Sequence, residues 1–333
     1  MDFWTHMFDE WALYELQQFA DGWVFVFAML FFVFELLRLV LKHEMSWTTI
    51  GDSLSNFITL AVHIGLAALF AGIYLGAFYL IYPNYILELL PTNYWTIAIC
   101  IVLADFAYYW EHRVAHRIGL GWATHTVHHS SPFFNISVAY RHGPLDAIFG
   151  LPFYLPLVLI GFDPYLVILA ATIVQLYQTI LHTETIGKLP KVYEAVMNTP
   201  SHHRVHHGSN PQYIDKNYAG IFIIWDKMFG SFAEEQEKVV YGVSPAINSV
   251  NPLVVFCHGF TGLAAKMWQT KGLGNKLAYL IQPPGWQPQG WQPSGLSPSR
   301  LQSSEQVPGS TNEDVTKNED VAKNTAEVRK RLK

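Results

Sequence analysis

The sequence predicts an all-α, polytopic membrane protein. It has about four to five membrane helices and a cytoplasmic helical cap carrying a histidine-rich dimetal site. Three observations predict this. Only 14% of the 333 residues are charged and 51% are hydrophobic, whereas an ordinary soluble domain is about a quarter charged. Apolar runs of membrane-crossing length recur through the first 181 residues. Finally, 11 of the 15 histidines fall between His112 and His207.

A helix needs about 20 apolar residues to cross the hydrocarbon layer. Residues 22–41 form the first such run, with Glu35 and Arg38 near its end. Residues 54–82 form a longer second run that can cross with tilt. Residues 94–110 form the third, which contains Asp105. Residues 145–160 and 165–181 follow, joined by Gly161-Phe162-Asp163-Pro164, and read as a hairpin. Its first arm holds Pro152 and Pro156 and is expected to be bent or only partly inserted.

Lysine and arginine near the helix ends set the orientation. Residues 1–21 carry none, whereas Arg38, Lys42, Arg113 and Arg117 follow the first and third runs. Both histidine-bearing regions, 111–144 and 182–250, are therefore expected on the cytoplasmic face, of a bacterial inner membrane or of the endoplasmic reticulum. The first run reads as a retained anchor, because its positive charges follow the apolar stretch rather than precede it. The membrane domain is expected over 1–281. From Gln282 a Pro-, Gln- and Ser-rich stretch begins, and 282–333 reads as a disordered polar tail whose last part, 313–333, could form a marginal helix. No basic stripe points to nucleic acid. Two cysteines, Cys100 and Cys257, are too few for a disulfide framework.

Three histidine groups carry the chemistry: His112 with His116, His125 with His128 and His129, and His203 with His206 and His207. Residues three or four apart share a helix face. Thr199 as cap, Pro200 in the first turn and Gly208 at the exit mark the third group as helical. Eight imidazoles are more than one ion uses, and two ions with about four nitrogens each fit the number. Imidazole suits iron, zinc, copper and nickel; an all-nitrogen site against a lipid favours a redox ion handling oxygen, so two iron ions are expected. Isolated histidines are usually core or solvated residues, and His6, His43, His63 and His258 read that way. Three facing groups within 96 residues do not.

His182 and His142, at the two ends of the hairpin, are placed to add ligands. His202 points off the shared face of its group. Ligating histidines need their second ring nitrogen held. Asp105, two turns before His112, is the first candidate for that, against the simpler reading of a helix–helix hydrogen bond. Glu184 is the next, followed by Asn135 and Asp146. Tyr108, Tyr109 and Trp110 fit an interfacial aromatic belt as well as a substrate channel.

At these residues the sequence resembles the fatty acid hydroxylase/sterol desaturase superfamily. Its boxes HxxxH, HxxHH and [HQ]xxHH match His112–His116, His125–His129 and His203–His207 in order and spacing. The matching context includes the residues from Asp105 to His112, Ser130-Ser131, Asn217-Tyr-Ala-Gly220 and Trp225-Asp-Lys-Met-Phe-Gly230. Within the superfamily the chain is most similar to the alkylglycerol monooxygenase branch. This rests on His128-His-Ser-Ser-Pro-Phe-Phe-Asn135, His182-Thr-Glu184, the stretch from Asn198 to Gly208, Ile214-Asp-Lys-Asn-Tyr218, Glu237-Lys-Val-Val-Tyr-Gly242 and Pro284-Gly-Trp286. The resemblance covers roughly residues 50–290. Arg117 stands where that branch has an acid, and a polar tail stands where its animal members continue into further membrane helices.

The resemblance implies a diiron centre that uses dioxygen to hydroxylate a lipid C–H bond, beside the ether oxygen in an ether lipid. It also implies an external electron donor, tetrahydrobiopterin in the animal branch, although no pterin site is legible here. The alternatives are a sterol, fatty-acid or carotenoid hydroxylase or desaturase of the same superfamily and, from another class, a metal transporter or sensor. Transport ligands usually sit near the midplane of the spans, whereas these lie beyond the helix ends.

Overall fold

A computed structural model describes residues 5–82 and 89–289. Residues 290–333, most of the expected tail, lie outside the described residues. Among the described residues the chain is helical, with two isolated β-bridges, Met197–Phe222 and Gly208–Tyr241, and no strand.

Helix α1 runs from Glu10 to Leu41, capped by Asp9, whose side chain accepts from Ala12 N. Helix α2 runs from Trp47 to Ile81, capped by Ser46. Both are long and apolar enough to cross a membrane by length and composition. Each begins before the apolar run that predicts it, because a polar cap and helix-forming residues extend the helix beyond its lipid-compatible part. Helix α3, Tyr94–Arg117, opens on an Asn93–Thr96 capping box. It passes unbroken from the third apolar run into the first histidine box. Among the described residues, only α1 and α2 are long and apolar enough to cross a membrane.

Helix α4, Gly119–His129, carries the second box. A 3₁₀ turn, Ile136–Tyr140, and a short α5, Asp146–Phe149, lead into α6, Leu151–Ile160. The break between α5 and α6 falls at Gly150, just before Pro152. Gly161, at φ +113°, ends α6 in the left-handed region that favours glycine. Asp163 then caps α7, Pro164–Thr179, by accepting from Tyr165 N and Leu166 N. The predicted hairpin is therefore present, with arms of 10 and 16 residues.

The short helices α8 (Lys191–Val196), α9 (Pro200–His206) and α10 (Ile224–Phe229) complete the histidine-bearing region. Helices α11 (Pro252–Gln269) and α12 (Leu273–Ile281) pack on α4. The largest helix contact joins α3 to α7. There Cys100, Ala104 and Ala107 belong to one buried cluster with Leu166, Ala170 and Val174. Small residues on α3 let the two backbones approach, as in membrane helix pairs. That packing fixes the end of α3, where His112 sits, relative to the end of α7, beyond which His182 sits.

Candidate dimetal centre

Four elements converge. Helix α3 brings His112 and His116, and α4 brings His125, His128 and His129. The turn after α7 brings His182, while α9 and its C-cap bring His203, His206 and His207. Thr199 caps α9 by accepting from His202 N, and Pro200 occupies the first turn, as the punctuation predicts. The nine imidazoles sort into two groups. One holds His112, His116, His125, His129 and His206; the other holds His128, His182, His203 and His207. Within each group the ligand atoms lie within 4.8 Å of one another. The groups adjoin: the His129 and His207 rings stack at 4.4 Å.

Backbone carbonyls set the ring orientations. His112 Nδ1 meets Tyr218 O at 2.8 Å, His182 Nδ1 meets Gln178 O at 2.8 Å, and His206 Nδ1 meets Lys216 O at 3.0 Å. His128 Nδ1 lies 3.3 Å from Arg141 O. A carbonyl only accepts, so each Nδ1 keeps its proton and each Nε2 presents a lone pair inward. His116 Nδ1 faces Asp215 at 3.7 Å instead.

The inward atoms are crowded. Nε2–Nε2 distances are 2.9 Å for His112–His125, 3.1 Å for His125–His129, 3.2 Å for His128–His182 and 2.9 Å for His182–His203. Nitrogens bound to one ion at about 2.1 Å lie about 3.0 to 3.4 Å apart, so this spacing fits ligands of shared ions. Nε2 of His116, His206 and His207 is buried with no hydrogen-bond partner, which native proteins avoid unless something else satisfies the atom. Burial, joined by neighbouring imidazoles for all but His116, holds all nine below the ordinary histidine value, His182 down to about 3. Neutral imidazole is the metal-binding form. The residues present therefore fit a metal site.

A cavity of about 1030 Å³ opens onto His112, His125, His128 and His182. It continues between α1, α2 and α7 as far as Phe78 and Tyr165, and most of its wall is apolar.

The other expected residues are placed as follows. His142 joins neither group; it pairs with Asp146 at 3.6 Å. Asp105 touches no histidine. Its carboxylate accepts from Ile221 N at 2.6 Å, Phe222 N at 3.0 Å and Trp225 Nε1 at 2.8 Å. It thereby pins the strap 218–222, whose Tyr218 carbonyl holds His112. Gly220 makes this possible, since a Cβ there would lie 2.5 Å from Asp105 Oδ1. Glu184 is exposed and accepts from Tyr241. Asn135 caps the 3₁₀ turn. His202 is buried outside both groups. Tyr108 lines the cavity, whereas Tyr109 hydrogen-bonds Ser231 and stacks on Phe229.

Two supports escape a reading of the sequence. Glu35 of α1 is buried and accepts from Ile136 N, Thr183 and Thr185. An acid within an apolar run is a signal for such a role. Arg141, 1% exposed, donates to Asp52 and Asn56 of α2 and to Val127 O and Ser130 at the end of α4. No local pattern announces that partnership, because its members lie 11 to 89 residues from Arg141.

Residues 97–231 match the family model for fatty acid hydroxylase. The chain is 42% identical over 248 residues to alkylglycerol monooxygenase of Homo sapiens, covering 74% of this chain and 53% of that protein. It is 37% identical over 267 residues to alkylglycerol monooxygenase of Xenopus tropicalis, covering 76% of this chain and 58% of that protein. With methylsterol monooxygenase 1 of Rattus norvegicus the identity is 26% over 250 residues, 68% of this chain and 81% of that protein. The chain spans about half the length of the first curated relatives it matches. No solved structure matches it significantly. Over most of its own length, then, the chain is similar to the alkylglycerol monooxygenases, and residues 97–231 match the fatty acid hydroxylase model.

Proposed function

We propose that this chain is a membrane-bound, non-haem oxygenase that uses dioxygen and two iron ions to hydroxylate a lipid C–H bond, its substrate an ether lipid of the alkylglycerol type. The observation that carries this is the meeting of the long apolar cavity with both histidine groups. A hydrolytic site rarely needs so many imidazoles, and a transport site has no use for a long apolar pocket ending at its ligands. The names of the relatives support the alkylglycerol substrate over a sterol.

His112, His116, His125, His129 and His206 would hold one ion, and His128, His182, His203 and His207 the other. When bound, the pair supplies activation of dioxygen and the oxidising power to break the C–H bond. The chain supplies the rest. The carbonyls of Tyr218, Gln178, Lys216 and Arg141 keep four Nε2 lone pairs pointing inward before any ion arrives. The apolar wall takes up the alkyl chain, so that its end can lie against the histidines. Hydroxylation beside the ether oxygen gives a hemiacetal, which breaks down to an aldehyde and a glycerol. The electrons come from an external donor, tetrahydrobiopterin or another.

In this reading residues 1–281 form the membrane domain, the hairpin α6–α7 dips into the bilayer beside α1–α3, and the histidine-bearing cap faces the cytoplasm. The test is metal content and a Mössbauer spectrum after growth on iron-57, followed by turnover of an ether lipid. Two spin-coupled irons with oxygen-dependent aldehyde release are expected. His128→Ala, His203→Ala and His206→Ala should each abolish turnover. Full occupancy by zinc despite iron supply, or a new double bond in the product, would overturn the reading.

A further inference from the structure

Beside the two histidine groups, the cavity wall carries polar side chains that neither group uses. Glu111, next to His112 on α3, lines the cavity with its carboxylate against Gly150 and Tyr154. A Cβ at Gly150 would lie 3.0 Å from both carboxylate oxygens, so the glycine makes room for the acid rather than supplying a special backbone angle. Glu111 Oε2 is buried and has no hydrogen-bond partner. His63 of α2 lines the same cavity, and its Nδ1 is also buried without a partner. Its ring stacks on His142 at 4.1 Å and 20°. His142 in turn is held 3.6 Å from Asp146, which accepts from Thr124 at 2.8 Å and from Gly143 N at 2.7 Å. Parallel stacking sets the two imidazoles face to face, a poor geometry for chelating one ion, so this is no third metal site.

Buried polar atoms without partners are costly, and both side chains line a space large enough for a guest. The guest must hydrogen-bond both a carboxyl group and an imidazole, which a hydroxyl does. The charge of the wall narrows the class. Among the described residues the lining includes Asp21, Glu111 and Asp146 and neither lysine nor arginine. Burial pushes Glu111 up to about 8, so near neutral pH its carboxyl is largely protonated. Asp146, which despite its burial stays below the usual carboxylate range through His142 and Gly143 N, is the anion that a phosphate or carboxylate head would meet with no lysine or arginine in the lining to compensate. We propose that Glu111, His63 and His142 form a subsite for the hydroxyl groups of a neutral polyol lipid head, and that this anchor sets which carbon of the adjoining chain lies against the histidine groups. The chain itself runs the other way, along Leu75 and Phe78. The proposal rests on the lipid-oxygenase reading and adds the side chains that select the head.

The test uses the metal-loaded chain in detergent and reads displacement of a fluorescent alkyl probe. Three competitors are compared: hexadecyl glyceryl ether with both hydroxyls free, the same ether with both hydroxyls methylated, and its phosphate monoester. The wild-type chain should favour the free diol over each of the others by about tenfold or more, as two hydrogen bonds imply. Glu111→Leu and His63→Phe should each cut the preference over the methylated ether to about twofold. Glu111→Gln, which keeps hydrogen bonding, should preserve most of it. An undiminished diol preference in both Glu111→Leu and His63→Phe overturns the subsite. Failure of every competitor to displace the probe from the wild-type chain instead removes the lipid reading itself. Should Glu111→Leu fail to purify, His63→Phe carries the test alone.

Discussion

Replacing Arg141 by Met tests how the second histidine box is held. The Arg141 Nη1 lies 2.8 Å from Asp52 Oδ1, and both side chains are almost wholly buried. Removing the cation strands Asp52 with Ser131, at 2.6 Å, as its remaining side-chain donor. Breaking a buried pair from one side typically costs about 3 to 5 kcal/mol, because the remaining charge is uncompensated. Asp52→Leu should cost a similar amount from the other side. The double variant removes both charges and leaves only neutral groups to re-pair, among them Asn56, Ser130 and the Val127 carbonyl, at about 1 kcal/mol each. It should therefore be more stable than either single variant, an inversion that independent contacts cannot produce. Thermal unfolding of the purified chain, followed by tryptophan fluorescence, reads the order directly, with the single variants lowered by about 10 °C. The site should respond too, since the Arg141 carbonyl holds His128; metal content of Arg141→Met should drop. A double variant whose loss equals the sum of the two singles would refute the claim that the pair is one unit.

Two further outcomes follow from the same network. Asp105→Asn replaces a carboxylate that accepts three hydrogen bonds with an amide whose NH₂ faces donors, so the strap 218–222 and the Tyr218 carbonyl should loosen their hold on His112. Metal affinity measured by chelator competition should fall about 10- to 100-fold, and unchanged affinity would reduce Asp105 to a packing residue. The metal-free chain should also be acid-labile. Its buried histidines have folded values below the ordinary 6.5, His182 about 3, so the unfolded chain takes up protons first as pH falls. Stability should be complete above about pH 6.5 and decline below it, by up to about 1.4 kcal/mol per histidine per pH unit. Melting of the chelated chain between about pH 8 and 5 checks this, and a flat profile would contradict neutral, buried rings.

The eight box histidines were legible because spacings of three and four place side chains on one helix face, and helix placement follows from apolar runs and caps. The convergence of all eight, with His182, in two groups agrees with that reading. What the sequence does not reveal is which histidine joins which group. The second box divides: His125 and His129 go to one group and His128 to the other. Neighbours in sequence point to different sides of α4, and only the packing of α3, α4 and α9 decides what each side meets. Asp105 is singled out by its position two turns before His112, yet its carboxylate meets a strap more than a hundred residues away. A periodicity argument cannot anticipate such a contact. The break in the hairpin at Gly150 is of the same kind: Pro152 signals a bend, but the room Glu111 needs becomes visible only once α3 and α6 lie together.

The first two helices also have more work than anchoring. Each places one buried acid under the histidine-bearing cap. Glu35 of α1 receives Ile136 N and the hydroxyls of Thr183 and Thr185, the first of which directly follows His182. Asp52 of α2 receives Arg141 and Ser131, and so holds the far end of the helix that carries His128. A buried carboxylate in an apolar helix is expensive unless its hydrogen-bonding capacity is filled, and here it is filled by the segments next to the histidine groups. The two acids therefore do what sequence-local packing cannot: they register the histidine-bearing segments on α1 and α2. Because the cavity runs between those helices and ends at the histidines, the same two contacts fix the distance from the cavity's apolar wall to His128 and His182. Chain binding and ligand geometry are in this way set by one frame. A substitution at Glu35 or Asp52, far from any guest in sequence, acts on both at once.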